Sequence, residues 1–493
     1  MPDIHRRFTK RCFPTAMLSP LHPQPTWRLG TPIRCGLLLG MVALIGTGVL
    51  LFSGALFCMS VAAQDTPGHN AATESATPDR KTTAPTVERT AVETTEPETT
   101  TAETESTATI ATASNKKGDT HVVLDGCDGR ELSVRTFDPT SQLKVSTTPL
   151  THARFPVVDV HTHLFYRLRH NDEALDDLVA MMDRNRIAIC ASLDGKLGSQ
   201  LDEHLEHLWA RYRDRFIVYA NVDWQGDGVT DDPATWACHR KGFADRTAKE
   251  LKAAVAQGVS GLKIFKRFGL GYRNPDGSLI KIDDPRWDPI WEACGELGIP
   301  VIIHTADPAA FFEPIDASNE RWEELSRHPD WSFYGDEYPS REELLQARNR
   351  VIARHRKTQF IGAHIANNSE DLRTVAMWLD QYPNLWIEPA SRISELGRQP
   401  YTARDFIIRY ADRMLFGTDG PWPEKRMHLY WRFFETRDEY FHYSEKSPPP
   451  QGLWQIYGIH LPDDVLKKIY FENAQRLIPG VKWRIEKFNE LSR

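Results

Sequence analysis

Short apolar runs rich in Val and Ile recur eight times, at residues 156–161, 187–193, 216–224, 259–265, 300–305, 358–365, 384–389 and 413–418. Their near-continuous apolar character suits parallel strands buried on both faces. Between them, segments at 173–185, 200–212, 244–257, 289–297, 341–356 and 370–382 carry apolar residues at helical spacing. Eight alternations predict an α/β fold, a (β/α)8 TIM barrel. A doubly wound open sheet fits the alternation too, but it leaves the first and last strands apart, whereas closure brings them together.

Polar residues break this pattern at the strand ends. In Val157-Val158-Asp159-Val160-His161-Thr162-His163, alternation puts Val158 and Val160 on the helix-packing face and turns Asp159, His161 and His163 inward. His304, His364 and Asp419 end the fifth, sixth and eighth runs, and Gly362 and Gly417 stand two residues below a polar end, where a small inward residue leaves room. Imidazoles and a carboxylate gathered at one end of a barrel are the usual surroundings of zinc or a similar divalent ion with one position open to water. Singly, His304 or His364 also reads as a core histidine satisfied by hydrogen bonds, and Asp419, in Gly-Thr-Asp-Gly-Pro, as a turn residue. Lys263, between Leu262 and Ile264, should project into the barrel, where it needs a partner: a substrate carboxylate, Asp419 or Asp159.

His161-Thr-His163, Val301-Ile-Ile-His304, Gly362-Ala-His364 and Phe416-Gly-Thr-Asp419, in that order, resemble the amidohydrolase superfamily, in particular its amidohydrolase-2 branch of metal-dependent hydrolases and decarboxylases. The resemblance implies a divalent metal, most often zinc with manganese as the alternative, held by His161, His163 and His304 with Asp419 beside it. It also implies that His364 polarises or orients the reacting group. Lysines on the fourth strand bridge two metals in other branches, which adds a bridging role for Lys263 to the readings above. Family membership alone does not choose the reaction. Metal-activated water attacking a C–N or C–O bond, with Asp419 moving the proton and His364 donating to the oxyanion, is the expected chemistry. Nonoxidative decarboxylation on the same scaffold is the alternative, and a non-catalytic binding protein is the third reading.

Loops beyond the strand ends should recognise the substrate. Tyr166 and Arg167 after His163, and Trp422 after Asp419, are the candidate contacts, with Arg169, Glu388 and Arg392 within reach. The long stretch 306–340 holds Phe311, Phe312, Trp322, Trp331, Phe333 and Tyr334, as a lid or an insertion with its own core.

The amino-terminal region reads differently. Arg6, Arg7, Lys10, Arg11, Arg28 and Arg34 (region 1–34) precede an uncharged segment, 35–63, long enough to span a bilayer and ending in Val61-Ala62-Ala63, small residues that suit signal cleavage. Cleaved signal and membrane anchor are both open, Met17 and Met41 are possible later starts, and either way the catalytic part is expected outside the cytoplasm, periplasmic or extracellular. Residues 64–118 are rich in Thr, Glu, Ala and Pro with few large apolar side chains, which predicts a disordered linker. The barrel domain is then 119–480, followed by a helical tail at 481–493. A net charge of −7 without a basic stripe argues against nucleic acid and for a small-molecule substrate. Homo-oligomer formation is left open. Cys127, Cys190, Cys238 and Cys294 are expected as thiols without a disulfide framework.

Overall fold

The structure is a computed structural model that describes residues 139–491. The basic region, the uncharged segment, the linker and Cys127 lie outside the described residues. Among the described residues no helix is long and apolar enough to cross a membrane.

Seven strands form one parallel sheet in chain order: β1 (Val157–Thr162), β2 (Ile187–Lys196), β3 (Phe216–Asn221), β4 (Gly261–Ile264), β5 (Val301–Ile303), β6 (Phe360–Gly362) and β7 (Leu385–Ile387). Helices Asp172–Asn185, Ser199–Tyr212, Phe243–Gln257, Asp288–Leu297, Arg341–Arg354 and Leu372–Gln381 separate them, close to the periodic segments of the sequence. Their apolar faces, through residues such as Leu178, Leu208, Leu251, Ile290, Val351 and Val375, share one core with Val157, Val218, Leu262, Val301 and Phe360. The parity expected for β1 is corrected: Val158 and Val160 cluster with Ile189, Ile217, Ile302 and Ile361 of the other strands and with Ala474, Ile478, Val481 and Ile485 of the carboxy-terminal helices, whereas Asp159 is in register with Cys190 of the helix-facing core, because the pairing of β1 with β2 shifts register between Val157 and Val158 and again after Asp159. Cys190, Cys238 and Cys294 are buried free thiols.

The eighth run is a correction: residues 413–418 form no strand. The chain there is nevertheless bonded on both sides. The Leu415 amide donates to the Ile387 carbonyl of β7 (2.9 Å), the Val160 amide of β1 donates to the Phe416 carbonyl (3.0 Å), and the Asp419 amide donates to the His161 carbonyl (2.8 Å). A regular ladder is broken because the Thr418 amide donates to the Asp159 carboxylate (3.1 Å), which also accepts from the Thr418 hydroxyl (2.5 Å) and the His161 amide (3.1 Å). Burial pushes the Asp159 carboxyl up to about 7, with the Glu388 charge adding to it, against the pull of these bonds.

Gly362 is a second correction. It shares its register row with Ile303 and Ile387, which belong to the helix-facing core, so it does not point inward. A Cβ there would meet the Ala366 Cβ at 2.7 Å, which makes the glycine a requirement of the turn that follows β6. Gly417 does what the spacing predicts, since a Cβ there would lie 3.1 Å from the His161 Cβ and 2.7 Å from a Glu388 oxygen.

Beside β1, three histidines pack together. His204 pairs with His170 (2.9 Å) and the Ser192 hydroxyl (2.7 Å), and the His170 and His207 rings are 4.7 Å apart. Burial holds His204 down at about 4, with its histidine neighbours adding to the shift.

Two outcomes follow for stability. Thr418→Val leaves a buried carboxylate oxygen without its hydroxyl donor and should cost about 1–3 kcal/mol, read from the denaturant midpoint. Because His204 stays neutral in the fold but protonates near 6.5 when unfolded, its contribution is complete above pH 6.5 and lost as pH falls towards 4. That interval corresponds to about 3 kcal/mol, so His204→Gln should flatten the stability profile between those pH values.

Candidate metal centre

The end of β1 delivers two imidazoles to one carboxylate. His161 Nε2 lies 3.5 Å and His163 Nε2 3.3 Å from the same Asp419 Oδ1, and the three groups offer donor atoms all within 4.8 Å of one another. Each ring is anchored from behind: His161 Nδ1 to Glu388 Oε1 at 2.8 Å, and His163 Nδ1 to Asp194 Oδ1 at 2.7 Å. A carboxylate partner accepts, so each Nδ1 carries a proton; His161 Nε2 then presents a lone pair, and His163 Nε2 does so once a bound cation displaces its second proton, as metal-binding histidines require. This donor set fits a divalent cation.

The electrostatics agree with a cation-seeking site. Burial, joined by the charge of Lys263, holds His161 well below the ordinary imidazole value. Burial would lower His163 too, but Asp194 and Asp419 flank it and lift it to about 9. Burial alone would raise Asp419; the surrounding imidazoles reverse this and keep it well below the usual carboxylate range.

His364 reaches the site by an unusual path. Residues His364, Ile365, Ala366 and Asn367 are left-handed, with φ of 58°, 57°, 49° and 54°. Non-glycine residues pay about 1–2 kcal/mol each in that region. The turn persists because its polar groups are held: the His364 amide donates to Glu388 (3.0 Å), the Ile365 amide to the Glu388 carbonyl (2.7 Å), and Arg348 and Arg341 donate to the Ala366 and Asn367 carbonyls (2.5 and 2.6 Å). His364 Nδ1 donates to the Ala390 carbonyl at 2.8 Å, and its ring lies 5.0 Å from His161. A second grouping, His161 with His364 and Glu388, also brings donor atoms close. Its glutamate, however, already accepts from His161, from the His364 amide and from the Ala390 amide (2.5 Å).

His304, expected as the third ligand, falls in neither grouping. Its ring packs on His364 at 4.4 Å, and its Nε2 faces Asp307 at 3.3 Å, a carboxylate that also pairs with Lys266 (2.5 Å). Lys263 is buried, as inward projection predicts, with Nζ 3.3 Å from His161 Nε2.

A cavity of about 410 Å³ adjoins these groups; His304, His364 and Asp419 line it, whereas His161, His163 and Lys263 do not. Phe311 and Trp331 of the long stretch form part of the wall, while Phe312 packs on Phe333 (5.5 Å), so that stretch both lines the cavity and has a small core. Arg167 and Trp422 line the cavity; Tyr166 does not, although its ring is 6.2 Å from that of His163. Several contributors were missed from sequence: Asp194, Asp307, Ser391, whose hydroxyl donates to Asp419 Oδ2 (3.1 Å), and Arg426. Asp194 had a readable signal, a polar residue closing the apolar run of β2 just as the histidines close theirs. Arg426 had none, since it sits on a helix with no motif around it.

Comparison with solved structures returns 2,6-dihydroxybenzoate decarboxylase from Rhizobium, at 17% identity over 66% of this chain and 98% of that one, TM-score 0.39. It also returns an amidohydrolase from Burkholderia multivorans, at 11% identity over 65% and 98%, TM-score 0.36. A third is a dihydroxybenzoic acid decarboxylase from a Polaromonas species with bound manganese, at 17% identity over 66% and 96%, TM-score 0.37. Comparison with curated proteins returns no match. The family profile described as Amidohydrolase matches residues 158–480, which spans β1, the histidine pair, the turn at His364 and Asp419, and the chain therefore belongs to the amidohydrolase-2 family.

Proposed function

We propose that the protein is a metal-dependent hydrolase acting on a C–N or C–O bond of a small organic substrate, on a (β/α)8 barrel whose eighth position is filled by residues 414–420. The observation that carries this reading is the convergence of two imidazole Nε2 atoms on Asp419, each ring anchored at Nδ1 by a carboxylate. His161, His163 and Asp419 would hold the ion, zinc or manganese, with His304 and Lys263 at the margin. A divalent ion bound there supplies Lewis acidity, polarising a substrate oxygen and acidifying water.

The remaining steps belong to the chain. Asp419 stays ionised; its Oδ1 faces the two imidazoles, so Oδ2, which accepts one hydrogen bond from Ser391, is the oxygen left to take a proton from the attacking water and return it to the leaving group. His364 departs from the role expected for it. Burial keeps it neutral and its Nδ1 proton is committed to Ala390, so its Nε2 accepts a hydrogen bond and orients water or a substrate N–H or O–H. Charge developing on the substrate oxygen is instead met by the cations of the cavity, Arg392 among them.

Decarboxylation is the second reading, favoured by the arginines Arg167, Arg392 and Arg426 on the cavity wall, which suit a carboxylate substrate. Export, with the amino-terminal segment at a membrane, completes the proposal on the strength of the basic residues before the uncharged stretch.

Three outcomes are expected. Glu388→Gln and Asp194→Asn should each weaken divalent-ion affinity by about 10–100-fold in chelator competition. Asp419→Asn should lower kcat by about 10²–10⁴-fold with a smaller change in KM, on whichever substrate a screen of amides, lactones and aromatic acids reveals. Chelation should abolish that turnover; release of an acid with an amine or alcohol identifies hydrolysis, release of carbon dioxide identifies decarboxylation, and turnover insensitive to both chelator and Asp419→Asn contradicts the proposal.

A further inference from the structure

Away from the metal centre, the three packed histidines have no part in the reaction. His170 follows the short helix Leu164–Leu168 that leaves β1, whereas His204 and His207 lie three apart on one face of the helix Ser199–Tyr212. The His170 ring stacks on His204 at 5.2 Å and lies against His207 at 4.7 Å. Phe165 closes edge-on over this stack, 5.0 Å from His170 and 6.2 Å from His204.

Every polar contact in the stack suits neutral rings. His170 Nε2 and His204 Nδ1 are 2.9 Å apart, so one donates and the other accepts, and a proton on both breaks the bond. His207 Nδ1 faces Asp172 Oδ1 at 3.3 Å, and its Nε2 is buried with no hydrogen-bond partner among the described residues, so a second proton would meet no acceptor. Burial lowers all three imidazoles from their ordinary value. The carboxylates that face them, Glu203 at His170, Asp194 at His204 and Asp172 at His207, oppose this without reversing it.

The same ring pins a strained corner. Arg169 and His170 are both left-handed, with φ of 51° and 53°, a region that disfavours non-glycine residues. The corner turns the chain from the short helix into Asp172–Asn185, and the seat of His170 in the stack fixes it. Three residues before His170, Arg167 lines the cavity and lays its guanidinium 4.6 Å from the centroid of the Trp422 ring. That ring is tied to the main chain beside Asp419, since its indole N–H donates to the Thr418 carbonyl at 2.8 Å. One short piece of chain thus joins the stack to the cavity wall.

We propose that His170, His204 and His207 form an acid-operated latch on the loop after β1: neutral rings hold the corner, and protonation parts them and releases Arg167 from Trp422. In the released loop the imidazoles titrate near 6.5, whereas His204 in the stack does so only at about 4. Release therefore takes up protons and is favoured as pH falls from 6.5 towards 4, so access to the cavity rises over that interval. The latch concerns access and not the reaction, and it stands whether the chemistry is hydrolysis or decarboxylation.

The test is hydrogen exchange of the full chain read by mass spectrometry and corrected for the intrinsic effect of pH, together with hydroxyl-radical footprinting of Trp422. Between about pH 7.5 and about pH 5, exchange of amides 167–171 should quicken about tenfold or more while β1 to β3 stay protected, and oxidation of Trp422 should rise with it. His170→Gln combined with His207→Asn keeps amide donors where Nε2 and Nδ1 stood but removes two titrating rings, and should hold the response within about twofold. Should that double variant unfold, which a denaturant midpoint reports, His207→Asn alone leaves the His170 to His204 bond in place and should still reduce the response about threefold. A flat response in wild type, a response that both variants leave unchanged, or one that spreads equally to β1 to β3 as global unfolding would, overturns the latch. Faster exchange of the loop with no change at Trp422 breaks the link to the cavity and overturns the proposal as well. Neither readout needs turnover, so failure of the hydrolase reading leaves the result for the latch intact.

Discussion

The contact between β1 and residues 414–420 is the constraint on which the site depends. His161 and His163 sit on the first strand, and Asp419 lies some 250 residues later; only when the chain returns to β1 do their donor atoms meet. The return is secured by main-chain bonds from Val160, His163 and Asp419 and by one buried carboxylate, Asp159, which gathers the Thr418 hydroxyl and two amides. Placing a carboxylate there is costly, as its upward shift records, and the cost is offset only while every donor is present. Closure and site assembly are therefore one event.

Around that seam the structure concentrates groups that would be unfavourable elsewhere. Glu388 is buried and holds three separate positions: the His161 ring, the His364 amide and the Ala390 amide. Asp194 does the same from β2, taking the His163 ring and the Phe165 amide (2.9 Å), which ties the loop after β1 to the site. The left-handed turn at His364 and the left-handed Asp419 (φ 65°) store backbone strain where side chains must be aimed. Fixed partners on every side leave the Nε2 atoms and Asp419 little freedom to reorganise, which is the condition for electrostatic preorganisation.

The hydrophobic pattern made most of this legible, for a definite reason: buried parallel strands need continuous apolar runs, and polar residues at their ends stand out. β1 to β7, the six helices between them, the His161–His163 pair and Asp419 were all readable on that basis. The eighth strand was not, because a side chain of β1 takes the amide that a ladder would use, and sequence does not reveal such a substitution. Gly362 was misread because parity was counted back from His364, which lies beyond β6 in the left-handed turn. The role of His304 depended on Asp307, only three residues on but in an irregular segment with no period to place it. Arg426 belongs to helix packing, which spacing does not encode.

The central claim is that His161 and His163 bind a divalent ion together with Asp419. Zinc-edge X-ray absorption on the full chain, purified without chelator and loaded with one equivalent of zinc, tests it most directly. The account predicts imidazole scattering from at least two histidines at about 2.0–2.1 Å together with an oxygen donor, and the loss of one imidazole shell in His163→Ala. An oxygen-only shell, or a spectrum that His163→Ala leaves unchanged, would contradict it.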